Sequence, residues 1–150
     1  MFAVDNTHPV PMKTALFPGS FDPFTEGHHN IVLRTLKLFD IVIIAVGINT
    51  DKQYMFSPEE RLNQIRQRYA NNPHVHVVTY SGMTVDLCRQ LGASVIVRGV
   101  RNLSDMQYEQ TVAAVNRAAN PEIDTVILFA DESCIDISST LERERLSHQS

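Results

Sequence analysis

The sequence PGSFDPFTEGH at residues 18–28 joins a short apolar strand to a helix predicted at about residues 27–39. A turn so rich in Gly and Pro is tight, and Gly19 and Gly27 permit positive φ and close approach of the backbone. His28 falls in the first helical turn, where free N–H groups and the helix dipole favour an anion. The stretch therefore predicts a phosphate-binding turn with His28 as a donor at its mouth. The simpler alternative is a strand-to-helix turn with a capping histidine.

Length and charge restrict the class of protein. A chain of 150 residues is the size of one domain, which we expect at residues 12–150. Residues 1–11 show no periodicity and are predicted to be disordered or an added extension. The net charge of −4 argues against a nucleic-acid partner, and the longest apolar run is too short to cross a membrane. Cys88 and Cys134 lack metal or redox spacing, which indicates reduced thiols in a cytoplasmic protein.

Short apolar segments alternate with helical segments along the rest of the chain. Strands are predicted at residues 14–17, 41–46, 75–79, 94–97 and 125–129. Helices are predicted at about residues 27–39, 58–70, 84–91 and 104–119, and from 138 onward. This alternation predicts an α/β fold, a doubly wound five-stranded parallel sheet of Rossmann-like layout with right-handed crossovers. Ligands of such sheets bind beyond the carboxyl ends of the strands.

Several local features of the helices are also predicted. In the long fourth helix the residues expected to face inward are Met106, Val112, Val115 and Ala119. Ser104 is the expected N-cap of that helix, and Ser139 with Glu142 fits a capping box for the last one. His29, next to the phosphate-binding turn, is expected to face solvent.

Polar side chains follow the strands at the positions where a ligand would bind. Arg98 and Arg101 flank Gly99 after the fourth strand, and guanidinium groups suit phosphate. Lys52 follows the second strand, and the hydroxyl-rich helix start at residues 138–140 offers a second anion site. Each of these features has an ordinary alternative: a pair of surface arginines, a solvated lysine and N-capping hydroxyls.

Taken together, these residues resemble the bacterial phosphopantetheine adenylyltransferases of the (H/T)xGH nucleotidyltransferase superfamily. The resemblance extends from Met12 to about Leu146 and preserves the order and spacing of the motifs. The matching segments are residues 18–23, 25–28, Lys52 with 55–56, 98–101, 108–109 and 137–140. What it implies is the reaction of ATP with 4′-phosphopantetheine to give dephospho-coenzyme A and pyrophosphate, the penultimate step of coenzyme A synthesis.

The resemblance also implies roles for individual residues. The expected catalytic residues are His28, Lys52, Arg98 and Ser139. The expected phosphopantetheine contacts are Ser20, Lys52, Thr84 and Arg98. The expected ATP contacts are Ser20, Phe21, His28, Gly99, Val100, Arg101, Glu109, Cys134, Ile135, Asp136, Ile137, Ser138, Ser139 and Thr140. Mg²⁺ is expected to be carried by the phosphates, and the chain is expected to form a homohexamer, a dimer of trimers.

Two other functions are alternatives to this interpretation. The segment Ile137 to Thr140 also resembles nicotinate mononucleotide adenylyltransferase, but that family favours Asn where this chain has Asp22 and His where it has Thr25. A non-catalytic nucleotide-binding module would keep the fold and lose the histidine or the phosphate-binding arginines. Both His28 and the arginines are present here, which favours an enzyme.

Overall fold

The computed structural model describes residues 11–148. Apart from the exposed Pro11, the extension predicted at residues 1–11 lies outside the described residues. The elements are β1 (Thr14–Gly19), α1 (Glu26–Thr35), β2 (Ile41–Gly47), α2 (Pro58–Arg68), β3 (Val75–Tyr80), α3 (Thr84–Leu91), β4 (Val95–Val100), α4 (Leu103–Ala119), β5 (Asp124–Phe129) and α5 (Ser139–Ser147), with a 3₁₀ turn at Glu132–Cys134 before α5.

The strands form one parallel sheet in the order β3-β2-β1-β4-β5, which confirms the predicted doubly wound topology. The strand order reverses between β1 and β4, and a crevice at such a switch point is the usual ligand site. Strands β1 and β4 pair only near their beginnings, through Ala15 with Val95 and Leu16 with Ile96. Because the two central strands are unpaired beyond that point, a crevice opens at their carboxyl ends.

Both faces of the sheet are buried by helices. On one face Phe17, Ile44 and Val46 pack with α1 and α2, and on the other Leu16 and Ile43 pack with α3. Side chains alternate between the faces along each strand, so continuous apolar runs such as β2 supply both cores at once. The central strands are therefore rigidly held, and the loops that follow them have a fixed base.

The turn after β1 is built by close packing. A Cβ atom on Gly19 would lie 2.9 Å from the ring of Phe21, so Gly19 makes room for that ring. Neither Gly19 nor Gly27 uses the positive φ that glycine permits, and the residue with positive φ in this turn is Phe21, at 50°. Phe21 is buried and the Asp22–Pro23 peptide bond is cis. Thr25 then caps α1.

Several local predictions about helix ends and faces are wrong. Helix α1 ends at Thr35 rather than near residue 39. Asn102, not Ser104, caps α4, because its side-chain oxygen accepts a hydrogen bond from the Asp105 N–H at 2.8 Å. In α5 the cap is Ser138, whose hydroxyl accepts from the Leu141 N–H at 3.1 Å, so the capping box expected from Ser139 does not form.

Two further predictions about exposure are also wrong. Val115 and Ala119 of α4 are exposed, because α4 covers the less buried edge of the sheet and none of residues 11–148 covers its outer face. His29 is partly buried rather than solvent-facing, and its Nδ1 lies 2.7 Å from the hydroxyl of Tyr69, which is buried at the end of α2.

Candidate active site

Two cavities open at the carboxyl ends of the central strands. The first, here the tyrosine cavity, has a volume of about 440 Å³ and lies beside β2 and β3, with Tyr54 and Tyr80 in its lining. The second, here the helix-start cavity, has a volume of about 360 Å³ and lies against the first turns of α1 and α5. The residues that line both cavities are Pro18, Gly19, Ser20, Arg98, Tyr108 and Glu109. The ends of β1 and β4 thus form a common wall between two ligand-sized spaces.

The structure brings most of the predicted site residues to these cavities. All of the expected phosphopantetheine contacts line the tyrosine cavity, namely Ser20, Lys52, Thr84 and Arg98. The expected ATP contacts that line the helix-start cavity are Ser20, Phe21, His28, Gly99, Arg101, Glu109, Cys134, Ile137, Ser138, Ser139 and Thr140. Three of the expected ATP contacts line neither cavity: Val100 is buried in β4, and Ile135 and Asp136 are exposed before α5.

The hydrogen bonds of His28 define its tautomer. The Thr25 backbone N–H donates to His28 Nδ1 at 3.0 Å, and the His28 N–H donates in return to the Thr25 hydroxyl at 3.4 Å. This reciprocal pair is a capping box in which histidine takes the place usual for Glu or Gln. Since Nδ1 accepts, the proton of the neutral ring is on Nε2, which is the ring nitrogen able to donate to a ligand.

The surroundings of His28 keep its ring neutral. Burial among Phe17, Phe21 and Phe24, whose ring centroids lie 6.2, 4.9 and 5.2 Å from that of the imidazole, desolvates the charged form. This burial, aided by the positive charges of Arg98 and Arg101, lowers the pKa of His28 from 6.5 to about 4. At neutral pH His28 is therefore an uncharged hydrogen-bond donor, and an anion bound beside it would stabilise the protonated form.

Arg98 crosses the gap between the central strands. Its guanidinium donates to the carbonyl oxygen of Pro18 on β1, and to both carboxylate oxygens of Glu109 on α4 at 2.7 to 3.0 Å. The side chain of Glu109 is only 5% exposed, so Arg98 is the necessary counter-charge of its carboxylate. The structure therefore shows Glu109 positioning Arg98 in the common wall. Glu109 lines both cavities, and both of its carboxylate oxygens accept hydrogen bonds from Arg98.

The start of α5 faces the start of α1 across the helix-start cavity. A Cβ atom on Gly27 would lie 3.8 Å from Ile137, which shows how closely the two segments approach. The Ser139 hydroxyl donates to the Pro23 carbonyl oxygen at 2.8 Å, which ties α5 to the turn after β1. The first N–H groups of a helix have no intrahelical acceptor. Those of Ser139 and Thr140 are therefore able to donate to a ligand, and the predicted helix start at this point is confirmed.

The remaining predicted site residues differ in whether another side chain of the protein pairs with them. Arg101 lines the helix-start cavity and is paired with Asp105, whose carboxylate accepts from both the backbone N–H and Nε of Arg101 at 3.0 and 3.2 Å. Lys52 is exposed at the tyrosine cavity, and within residues 11–148 its ammonium group has no ion-pair partner. Thr84 shares a 3.1 Å hydrogen bond with the hydroxyl of Tyr80 on the same cavity wall.

Two buried charged residues that support the cavity walls were given no role from the sequence. Asp22 is buried, and its carboxylate accepts from the backbone N–H groups of Met55 and Phe56 at 2.8 and 2.9 Å, which fixes the loop that carries Lys52. Arg61 is fully buried behind the wall of the tyrosine cavity. The burial of Arg61 could have been predicted from the helical spacing, because Arg61 lies four residues before Ile65 on the apolar face of α2.

Residues 11–148 contain no group of three or more potential metal ligands among His, Cys, Asp and Glu side chains. In the same described part of the chain no helix is both long and apolar enough to span a bilayer.

Comparison with known proteins gives relatives over nearly the whole chain. The Cytidylyltransferase-like family model matches residues 16–145. The chain is similar to the phosphopantetheine adenylyltransferase of Porphyromonas gingivalis, with 53% identity over 133 residues covering 89% of this chain and 86% of that protein. It is also similar to the phosphopantetheine adenylyltransferase of Flavobacterium psychrophilum, with 45% identity over 133 residues covering 89% and 87%.

A solved structure has the same fold at low sequence identity. The bifunctional NMN adenylyltransferase/ADP ribose pyrophosphatase from Francisella tularensis matches with a TM-score of 0.70 and 17% identity, over 93% of this chain and 43% of that one. At that identity the likeness concerns the fold alone.

Proposed function

The chain belongs to the cytidylyltransferase-like family and, within it, to the phosphopantetheine adenylyltransferases, and from this membership we propose that it transfers the adenylyl group of ATP to 4′-phosphopantetheine. The products are dephospho-coenzyme A and pyrophosphate. The observation that carries this assignment is the pair of cavities with a common wall at Ser20 and Arg98, which provides adjacent spaces for two phosphate-bearing substrates.

In this reaction a phosphate oxygen of 4′-phosphopantetheine attacks the α-phosphorus of ATP. A bond forms between that oxygen and the α-phosphorus, and the bond from the α-phosphorus to the bridging oxygen of the β-phosphate breaks, releasing pyrophosphate. The attacking oxygen is already anionic, so the reaction needs no strong general base. The barrier lies in bringing two anions together and in stabilising charge on the α-phosphoryl group, which positioning and fixed donors can lower.

The residues that line the two cavities suit this task. Nε2 of the neutral His28 donates to the α-phosphoryl oxygens as charge moves through them. Lys52 and Arg98 hold the phosphate of 4′-phosphopantetheine in the tyrosine cavity, and Arg101 binds the nucleotide phosphates. The N–H groups at the start of α5 receive the leaving pyrophosphate, because a helix N-terminus favours anions.

Mg²⁺ enters the proposal as part of the nucleotide substrate. The carboxylates of Asp105 and Glu109 at the helix-start cavity are both paired with arginine, which leaves the phosphate oxygens of ATP and water as the main oxygen ligands. Mg²⁺ commonly retains several waters and binds through substrate phosphates, so this arrangement suits it. Removal of divalent cations with EDTA should abolish product formation, and added Mg²⁺ should restore it.

The assembly and the compartment are further parts of the proposal. Large apolar side chains on α4 and β5 are exposed in the single chain, and they are Leu103, Tyr108, Val115 and Phe129. Their exposure supports a homo-oligomer, proposed as a hexamer, and light scattering coupled to gel filtration would measure its mass. Cys88 and Cys134 are both unpaired thiols, which supports a reducing compartment such as the cytoplasm.

The test of the proposed function is a comparison of acceptors. Purified protein with ATP and Mg²⁺ should release pyrophosphate with 4′-phosphopantetheine and yield dephospho-coenzyme A. Nicotinate mononucleotide and glycerol phosphate, offered at the same concentration, serve as the matched controls. Faster pyrophosphate release with either control, or ATP binding without any release, would contradict the proposal.

A further inference from the structure

Arg61 is a fully buried cation on the apolar face of α2. Its exposed fraction is 0%, and Ile65 and Tyr69, one and two turns further along the same face, are also buried in the core. Arginine is almost never fully buried unless it is paired, because removal of its charge from water is unfavourable. A residue retained at such a position needs a physical reason beyond packing.

Backbone carbonyl groups supply all the hydrogen-bond partners of Arg61. Its Nε donates to the Phe56 carbonyl oxygen at 3.2 Å, and one terminal nitrogen donates to those of Ser20 and Gly47 at 2.6 and 3.0 Å. Its guanidinium carbon lies 4.0 Å from the centre of the Tyr54 ring. The other terminal nitrogen is buried without a hydrogen-bond partner.

The charge of Arg61 is also not neutralised by an acid. Among residues 11–148, no carboxylate forms an ion pair with it. This differs from Arg98, whose guanidinium is matched by Glu109. The polar partners of this positive charge are carbonyl dipoles and an aromatic face. Its electrostatic field therefore extends to neighbouring groups, because little water is present to screen it.

The contacts of Arg61 belong mainly to one of the two cavities. Ser20, Gly47 and Tyr54 all line the tyrosine cavity, and of the three only Ser20 also lines the helix-start cavity. The same guanidinium links the end of β1, the end of β2 and the loop that carries Lys52. Loss of Arg61 would therefore loosen the wall of the tyrosine cavity more than that of the helix-start cavity.

We propose that Arg61 is a positioning residue for the phosphate-bearing acceptor substrate. It fixes the carbonyl groups of Ser20 and Gly47 and the ring of Tyr54, and its unneutralised charge favours an anion on the far side of that wall. The inference rests on the proposed function, because it assigns the tyrosine cavity to 4′-phosphopantetheine. It predicts that both the shape and the charge of Arg61 act selectively on the acceptor.

Steady-state kinetics of the full chain test this selectivity. The variant Arg61→Met keeps much of the volume and loses the charge, whereas Arg61→Lys keeps the charge and loses the planar fork of donors. We expect Arg61→Met to raise the KM for 4′-phosphopantetheine about tenfold or more and the KM for ATP less than about threefold. Arg61→Lys should give an intermediate, equally selective rise. The matched control is Arg66→Met, since Arg66 lies on α2 and donates to the Val77 carbonyl oxygen, away from both cavities.

These measurements distinguish a selective effect of Arg61 on the acceptor from a general loosening of the fold. Equal rises in both KM values would show a general loosening of the fold and overturn the inference, and so would unchanged KM values in a folded Arg61→Met. If Arg61→Met does not fold by circular dichroism, the same criterion applied to Arg61→Lys decides. A wild-type chain that is inactive with 4′-phosphopantetheine would instead overturn the proposed function itself.

Discussion

The two cavities at the end of the sheet differ in how their charged groups are held. Around the helix-start cavity, His28 and Arg101 are each fixed by hydrogen bonds to other residues of the chain, and so is Arg98 in the wall common to both cavities. At the tyrosine cavity the predicted cation Lys52 is exposed in a loop and has no ion-pair partner among residues 11–148. The cavity proposed for the nucleotide is thus preorganised, while the cavity proposed for the acceptor combines a fixed wall with an exposed lysine.

This difference separates the expected effects of substitutions. Preorganised donors need no rearrangement during the reaction, so their loss should lower turnover. Donors that are also structural counter-charges should affect stability as well. An exposed lysine should affect only the binding of its ligand.

The largest effect is expected from His28→Ala. The variant loses the Nε2 donor and should turn over at least about 10²-fold more slowly, on the scale of a lost donor at developing charge. The Thr25 hydroxyl still caps α1, so the fold should remain intact by circular dichroism. His76→Ala, which removes an exposed histidine from β3, is the matched control and should retain full turnover. An undiminished rate for His28→Ala in a steady-state assay would refute the role given to the ring.

A large loss of stability is expected from Arg98→Met. The substitution leaves the buried carboxylate of Glu109 without a counter-charge, which should lower the free energy of unfolding by about 3 kcal/mol. Chemical denaturation at pH 7 measures this change. The control Arg117→Met breaks the exposed pair with Asp124 and should change the free energy by less than about 1 kcal/mol.

A double variant separates the two functions of Arg98. Arg98→Met combined with Glu109→Met removes both members of the buried pair, so stability should largely return while catalysis does not. Recovery of turnover in the double variant would mean that Arg98 acts only by neutralising Glu109.

A selective effect on binding is expected from Lys52→Ala. The KM for 4′-phosphopantetheine should rise about tenfold, as for loss of one charge-assisted contact. The free energy of unfolding should stay within about 0.5 kcal/mol, since the side chain is exposed and unpaired. Lys37→Ala, at an exposed position beyond the end of α1, is the control. An equal rise in the KM for ATP would remove the distinction between the cavities.

The smallest effect is a pH dependence of stability due to His28. Its pKa of about 4 in the folded chain is below the ordinary 6.5, so the unfolded chain takes up a proton first as the pH falls. The free energy of unfolding is therefore at its highest well above pH 6.5 and falls progressively as the pH is lowered toward 4. Between pH 7 and pH 6 the free energy of unfolding should fall by less than about 1 kcal/mol. His28→Gln should lack this component, and an identical pH profile in the variant would contradict the assignment.

The sequence predicted those features that depend on local pattern. The apolar run of β2 indicated a central parallel strand, and the strand-to-helix turn placed His28 at a helix start facing a second one at Ser139. These predictions rest on periodicity, capping chemistry and the geometry of parallel sheets, which are readable within a short window.

The features that were missed depend on contacts between distant residues. The ion pair of Glu109 with Arg98, which joins α4 to β4, was not predicted. Arg61 was not singled out because its carbonyl partners Ser20 and Gly47 lie 41 and 14 residues away. Val115 has an apolar side chain at helical spacing, yet no other part of residues 11–148 covers it. Such pairings are decided by tertiary packing, which a periodic pattern does not specify.

The placement of the two substrates in two adjoining cavities can be tested by a crystal structure with 4′-phosphopantetheine and an ATP analogue whose α,β-bridging oxygen is replaced by methylene. We expect the α-phosphoryl group to lie within hydrogen-bonding distance of His28 Nε2 in the helix-start cavity. We expect the acceptor phosphate to lie beside Lys52 and Arg98 in the tyrosine cavity. Both ligands in one cavity, or phosphates distant from His28, would contradict it.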